Sequence, residues 1–258
     1  MKIKFYKYQG TGNDFIIVDN RNMSFDKNNI ELVKGICSRK FGVGSDGLIL
    51  IENHTRLDFN MVFFNPDGSQ SFCGNGSRCA VAFAREQGIV YDFAKFNSTD
   101  GYHEAIVESN GLIKLKMHNV CNIEVGESHH YMDTGSPHYN CFEKNIDAID
   151  VVAKGREIRN NKRFKEIGTN VNFIEHLSNR IKVRTYERGV EDETLSCGTG
   201  VTACALSAAL VAKDSSGEIK VSTLGGGLSV SFRQTLDGFE DIWLTGPTKF
   251  VFNGEIEM

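Results

Sequence analysis

Only three prolines and one tryptophan occur in the 258 residues, and no long unbroken apolar run occurs anywhere. Without such a run there is neither a membrane helix nor the apolar core of a signal peptide. The start, Met1 to Gly10, spaces Lys2, Lys4 and Lys7 among aromatics instead. A cytoplasmic location is therefore expected. Charge of one sign is also lacking: 29 basic against 33 acidic residues leave a net charge of -4. No dense Lys/Arg stripe is present, so neither nucleic acid nor an anionic membrane is the expected partner, and a small molecule is. The seven cysteines are an odd number and contain no Cys-X-X-Cys pair. With no export signal they are expected to be reduced thiols, and a zinc site is disfavoured. His129-His130 reads equally as a solvated pair on a strand or as metal ligands.

What is present is ample apolar material, 40% of the chain, enough for a sizeable core. Alternating apolar residues at Ile3 and Phe5, Phe15 to Val18, Leu57 to Phe64 and Ala105 to Met117 predict strands, the last broken by a hairpin at Asn110-Gly111. Asp26 is a candidate cap for a helix through Ile30, Val33 and Ile36 toward Phe41, ended by Gly42. After residue 120 the order repeats. Strands are predicted near Tyr131 to Asp133 and Val171 to Glu187, a surface helix near Ile146 to Arg159, and further strands from Ile219, with turns at Gly225 to Gly227, Asp237-Gly238 and Asn253-Gly254.

The repeat is sharpest at two motifs. Phe72-Cys73-Gly74-Asn75-Gly76 and Ser196-Cys197-Gly198-Thr199-Gly200 each run into an Ala-rich stretch, Gly74 to Gln87 and Gly198 to Ala212, apolar on most sides. A helix apolar all round must be buried all round, which requires a closed or nearly closed sheet about it. The expected fold is α+β: two pseudo-symmetric domains, each a barrel-like, mostly antiparallel sheet around a central buried helix. Residues 1–119 are expected to carry Cys73, residues 120–246 Cys197, with a final strand at 247–258 open to returning to the first domain.

Each motif places a thiol at a helix start, where unpaired backbone N–H groups and about half a positive charge favour thiolate and carboxylate alike. Lowering a thiol pKa by about 1.5 units takes roughly 2 kcal/mol, within reach of such a position. Either motif alone is equally a tight turn into a buried helix. The recurrence favours a paired acid and base in which one thiolate removes an α-proton and the other thiol protonates the opposite face. Cys37, Cys79, Cys121, Cys141 and Cys204 lack the motif and are expected to be small buried residues. Gly42-Val43-Gly44-Ser45-Asp46-Gly47 matches a dinucleotide-binding pattern but follows a helix and precedes a strand, the wrong order for a phosphate turn. A cysteine hydrolase with His138 as base leaves the second motif unexplained. Asn13, Asn65 and Asn170 sit at strand ends as turn formers or polar substrate contacts. Glu187-Arg188 is either an exposed ion pair or a reader of a distal ammonium and carboxylate.

Gly10-Thr11-Gly12-Asn13-Asp14-Phe15, Asn65-Pro66-Asp67-Gly68-Ser69, Cys73-Gly74-Asn75-Gly76, Gly135-Ser136-Pro137-His138, Thr169-Asn170-Val171-Asn172-Phe173, Tyr186-Glu187-Arg188-Gly189 and Cys197-Gly198-Thr199-Gly200 follow one another along nearly the whole chain. In these seven ordered motifs the chain resembles the diaminopimelate epimerases, cofactor-independent isomerases of lysine and cell-wall precursor synthesis. The resemblance implies interconversion of LL- and meso-2,6-diaminoheptanedioate by Cys73 and Cys197, in a cleft that closes between two domains, and a homodimer. It implies that Gly74, Asn75, Gly198 and Thr199 hold the reacting carboxylate. Asn13, Asn65, Asn170, Glu187 and Arg188 would fix the distal end, and His138 and Glu187 would tune the thiols or bind the reacting ammonium. Two departures stand out: Ser136 where many relatives have Asn, and Gly47 where some have Gln. The alternatives are a proline or hydroxyproline racemase-type enzyme and a non-catalytic amino-acid-binding module on the same fold.

Overall fold

The computed structural model describes residues 2–213 and 216–257, and these fall into two compact units, Met1–Leu115 with Gly246–Met258, and Lys116–Thr245. Among the described residues no helix is long and apolar enough to cross a membrane.

The first unit consists of β1 (Lys2–Gly10), β2 (Asn13–Asp19), α1 (Ile30–Cys37), β3 (Gly47–Glu52), β4 (Phe59–Phe64), α2 (Gly74–Glu86), β5 (Phe93–Ser98), β6 (Gly101–Val107), β7 (Ile113–Lys116) and, from the far end of the chain, β18 (Lys249–Glu257). Its sheet runs β18-β1-β2-β3-β4-β5-β6-β7, antiparallel except at β2–β3 and β4–β5. The sheet curls round α2, which packs against β1, β2, β3, β4 and β6. β3 is buried at every position, Gly47 through Glu52, because α2 covers one face and α1 the other.

The second unit repeats the plan with β8 (Val120–Cys121), β9 (Glu124–Val125), β10 (His129–Asp133), β11 (Pro137–Phe142), α3 (Val151–Arg159), β12 (Asn170–His176), β13 (Ile181–Glu187), β14 (Asp192–Thr194), α4 (Gly198–Ala212), β15 (Ser216–Thr223), β16 (Gly226–Gln234) and β17 (Gly238–Gly246). Parallel pairs recur at the equivalent places, β11–β12 and β13–β15. The barrel closes through the short segment that pairs with β17 by β8 and with β10 by β9. Inside, α4 is buried from Gly198 through Ala209 apart from Thr199. The sequence-predicted span Gly198 to Ala212 is that of the helix.

Several local expectations need correction. α1 begins at Ile30 and is capped by Asn29, whose Oδ1 accepts from Leu32 N at 3.1 Å. Asp26 instead closes a preceding turn by accepting from Asn28 N at 3.0 Å. α1 ends at Cys37, well before Phe41. The chain then folds back so tightly that a Cβ on Gly42 would lie 2.0 Å from Gly35 O. The predicted surface helix from Ile146 is a short 3-10 turn, Ile146–Ala148, followed by α3, capped by Asp150. The stretch Val171 to Glu187 is two strands, not one. Asn253-Gly254 is not a turn but lies within β18, where Gly254 lets the strand pass the Phe5 ring; a Cβ there would be 3.0 Å from Cζ. His129-His130 lies on a strand as expected but is not solvated, since His130 is buried and His129 stacks on Tyr139 at 4.3 Å. Of the five background cysteines, Cys37, Cys79 and Cys204 are buried, Cys141 is half-buried and Cys121 is exposed.

Candidate active site

In the first unit the site starts at the hairpin joining β1 to β2. Gly10 pairs with Asn13 across a two-residue turn in which Thr11 (φ 52°) and Gly12 (φ 84°) both adopt positive φ, the hairpin geometry that matches strand twist. A β-branched residue rarely takes this conformation. Here Thr11 is buried and its Oγ1 accepts from Arg78 Nη2 at 3.2 Å. The turn sets Asn13 at the head of β2. Asn13 Nδ2 donates to Asp46 Oδ2 at 2.7 Å, which aims its Oδ1 at Asn75 Nδ2 (3.3 Å) and the Cys73 thiol (3.7 Å).

Cys73 is the N-cap of α2, with extended backbone, and its Sγ accepts from Gly76 N at 3.4 Å. Gly76 is small because Ile49, Phe15 and the Cys73 Cβ crowd the helix start, each 3.3–3.5 Å from where a Cβ would be. The glycine-rich loop 42–47 leads from α1 into β3. It supplies Asp46, which receives Arg39 (2.7 Å) and Asp14 N (3.2 Å) as well as Asn13. Burial pushes the Asp14 carboxyl up, but hydrogen bonds from Arg39 and Lys7 outweigh this and hold it down at about 2. Gly47 is closed to any side chain: a Cβ would lie 2.3 Å from the Phe63 ring and 2.9 Å from Phe64 O. Asn65 is spent on its own turn, donating to Ser69 Oγ (3.0 Å) and Ser71 Oγ (3.2 Å), and makes no hydrogen bond to Asn13 or Cys73.

The second unit assembles a different surround for the same motif. Cys197 is the N-cap of α4 and its Sγ lies 3.4 Å from Thr199 Oγ1, which in turn is 2.9 Å from His138 Nε2. His138, on β11, is completely buried. Asn172 on β12 donates from Nδ2 to His138 Nδ1 (3.0 Å) and to Asn140 Oδ1 (2.7 Å), while its Oδ1 accepts from Thr185 (2.8 Å). Nδ1 is therefore an acceptor, and the neutral ring carries its proton on Nε2, facing Thr199. Burial, with the nearby Arg188 charge adding to it, pulls the His138 pKa down to about 3. Gly200 makes room for this arrangement: a Cβ there would lie 2.8 Å from Asn172 Oδ1 and 3.2 Å from His138 Cε1.

A second cluster in that unit gathers Asn170, Ser136 and Arg188. Asn170 Nδ2 donates to Ser136 Oγ (2.8 Å) and Pro137 O (3.1 Å), and Asn170 Oδ1 accepts from Arg188 N (2.9 Å). Arg188 Nη2 reaches Ser136 Oγ at 3.4 Å. Glu187 Oε2 accepts from Thr194 Oγ1 at 2.8 Å. Within its own unit the structure thus joins Cys73, Asn13 and Asn75. In the other it joins Cys197, Thr199 and His138 in one cluster and Asn170, Ser136 and Arg188 in a second. Sequence reasoning did not single out Asp46, Asn172 or Arg78, although all three lie inside or just beyond quoted motifs. What identifies them is a partner distant in sequence.

A family model described as Diaminopimelate epimerase matches residues 5–122 and 130–251. A protein of Flavobacterium psychrophilum named diaminopimelate epimerase is 46% identical over 256 residues, covering 98% of this chain and 100% of the relative. Those of Chlorobaculum tepidum and Aquifex aeolicus, of the same name, are 40% and 39% identical, covering 96% and 98% of this chain and 99% and 98% of their own. Among solved structures, a phenazine biosynthesis protein of the PhzF family from Bacillus anthracis superposes with a TM-score of 0.77 at 16% identity, covering all of both chains. A hydroxyproline epimerase from Agrobacterium vitis gives 0.68 at 13%, covering 99% of this chain and 92% of the other. These last two establish the fold, and the sequence relatives establish more: the chain belongs to the diaminopimelate epimerase family.

Proposed function

We propose that the protein interconverts LL- and meso-2,6-diaminoheptanedioate without a cofactor, with Cys73 and Cys197 as the acid and base. The observation that carries this reading is the paired motif, in which each cysteine is the N-cap residue of a buried helix that opens on glycine, a position whose backbone N–H groups attract an anion. Inversion at an α-carbon needs a base on one face and an acid on the other. After one turnover the two thiols have exchanged protonation states. Gly74 and Asn75 at one helix start, and Gly198 and Thr199 at the other, serve the reacting carboxylate.

Arg188 is the group for the distal carboxylate, since it is half-exposed, its guanidinium donates to Ile167 O and Ser136 Oγ, and among the described residues of its unit it forms no ion pair. Asn170 and Ser136 orient it. Ser136 Oγ takes up Asn170 and Arg188 directly, so the shorter side chain supports the cluster rather than reaching the substrate. Asn13, Asn65 and Glu187 belong to the polar remainder of the site. His138 acts through Thr199 on Cys197 as a neutral donor. A proline-type substrate would leave the Arg188 cluster without a partner, which disfavours that alternative. Homodimerisation belongs to the same proposal, supported by Phe250, Val251 and Phe252 standing exposed on β18, and sedimentation tests it.

The deciding experiment incubates reduced protein with LL-diaminopimelate in deuterated water and follows α-deuterium and stereochemistry together. Deuterium in the meso product, abolished in Cys73→Ala and in Cys197→Ala, is the expected result. Substantial turnover by both single variants would overturn it.

A further inference from the structure

Arg78 lies one turn into α2, completely buried, where an arginine is rarely found without a carboxylate. Its Nη2 donates to Asn75 Oδ1 (2.9 Å) and Thr11 Oγ1 (3.2 Å), and Nε and Nη1 have no hydrogen-bond partner among the described residues. Gly10 lies against the same stretch of α2, where a Cβ would stand 3.2 Å from Asn75 O and 3.3 Å from Cys79 Sγ. Burial lowers its pKa, but an arginine stays charged. The ionisable groups that feel this charge are two thiols, Cys79 and Cys73. Cys79 is wholly buried and pushed up to about 12, so it remains a thiol. Cys73 alone is half-exposed at a helix start.

Other titratable groups at this end of the unit have partners of their own. Asp14 and Asp46 take Lys7 and Arg39, and on β6 the buried His103, which stacks on Phe72 beside Cys73, meets Asp100 at 2.8 Å. We infer that Arg78 is a positioning residue that supplies the countercharge for a resting Cys73 thiolate and, through Asn75 and the Thr11 turn, fixes the amides beside it. This rests on the epimerase reading and goes beyond it by distinguishing the two thiols. Five residues after Cys197 the equivalent place is Thr202, whose hydroxyl is spent on Gly198 O at 3.0 Å. The ring near Cys197, His138, is neutral above about pH 3. The cation felt by that ring, Arg188, is half-exposed, screened, and directly preceded by Glu187.

Two opposing effects are weaker. The Asn13 contact at 3.7 Å favours the protonated thiol, but a sulfur donor at that length is a poor bond, and the Gly76 N–H at 3.4 Å favours thiolate. A substrate carboxylate at the same helix start adds a second negative charge, more than the half-charge of the helix offsets. A full buried cation lets both anions coexist.

The test is site-resolved alkylation of the reduced, substrate-free enzyme with iodoacetamide across pH, read by mass spectrometry at Cys73 and Cys197. In the wild type Cys73 ionises at lower pH than Cys197. Arg78→Gln, which keeps a donor for Asn75 but removes the charge, slows Cys73 alkylation at pH 7 at least about tenfold, leaves Cys197 within twofold, and Arg78→Lys restores much of the loss. Equal ionisation of the two thiols in the wild type, or an unshifted Cys73 in folded Arg78→Gln, would overturn the inference. If Arg78→Gln fails to fold, the wild-type comparison decides alone. The readout needs no turnover, so it is independent of the deuterium experiment that tests the epimerase reading.

Discussion

Acidifying the protein from pH 7 to pH 5 should destabilise the second unit through His138 in particular. The ring is fully buried, carries one proton on Nε2, and has its pKa pulled from 6.5 to about 3 by burial and, secondarily, by Arg188. In the unfolded chain it titrates normally near 6.5. Because the folded value is depressed, the folded state refuses a proton that the unfolded state accepts. The contribution is therefore fully present above pH 6.5 and is lost as pH falls toward about 3, at roughly 1.4 kcal/mol per unit. Between pH 7 and 5 the loss is about 2 kcal/mol, and with a urea slope of roughly 1.5–2 kcal/mol per molar the midpoint should fall by about 1 M. The single tryptophan, Trp243 on β17, lies in the same unit and provides the fluorescence signal. His138→Gln keeps a donor and an acceptor but cannot titrate, so its midpoint should fall by about 1 M less over the same range. Equal pH dependence in both proteins would refute the assignment of a buried neutral imidazole.

Three further outcomes follow from the packing. Gly200→Ala drives a methyl to within 2.8 Å of Asn172 Oδ1 and 3.2 Å of His138 Cε1, and should cost about 1–3 kcal/mol in urea unfolding and more than tenfold in turnover. A fully active, equally stable variant would show that the helix start is not pressed against that pair. Asp46→Ala releases Asn13 Nδ2 from its 2.7 Å bond and should lower turnover while leaving the first unit folded; unchanged kinetics would mean that Asn13 is held without it. Gly47→Gln collides with the Phe63 ring and Phe64 O and should destabilise the first unit. Normal stability, measured by thermal unfolding, would show that Phe63 moves aside easily.

The alternation of strands, the buried Ala-rich helices behind Cys73 and Cys197, and the doubled order of elements were legible in the chain itself, because burial on all sides imposes its composition locally. A helix such as α4 can be bounded to the residue when its cap and its glycine lie in one short motif. The extent of α1 and the identity of its cap were not legible, since Asp26 and Asn29 are both good caps and only the packing of Val33 and Ile36 chooses between them. Nor was the role of Gly254, which depends on Phe5, nearly 250 residues away and adjacent only because β18 pairs with β1.

At the site the division is the same. Sequence by itself determined that two thiols begin two buried helices, because helix starts and glycine spacing are local properties. Tertiary structure alone decided their surroundings: Arg78 reaches back 67 residues to Thr11, Asn13 is oriented by Asp46 33 residues on, and His138 meets Thr199 across 61. Near-identical motifs thus acquire a buried cation in one unit and a neutral imidazole in the other, since charge in a low-dielectric interior is set by neighbours in space, which local spacing does not encode.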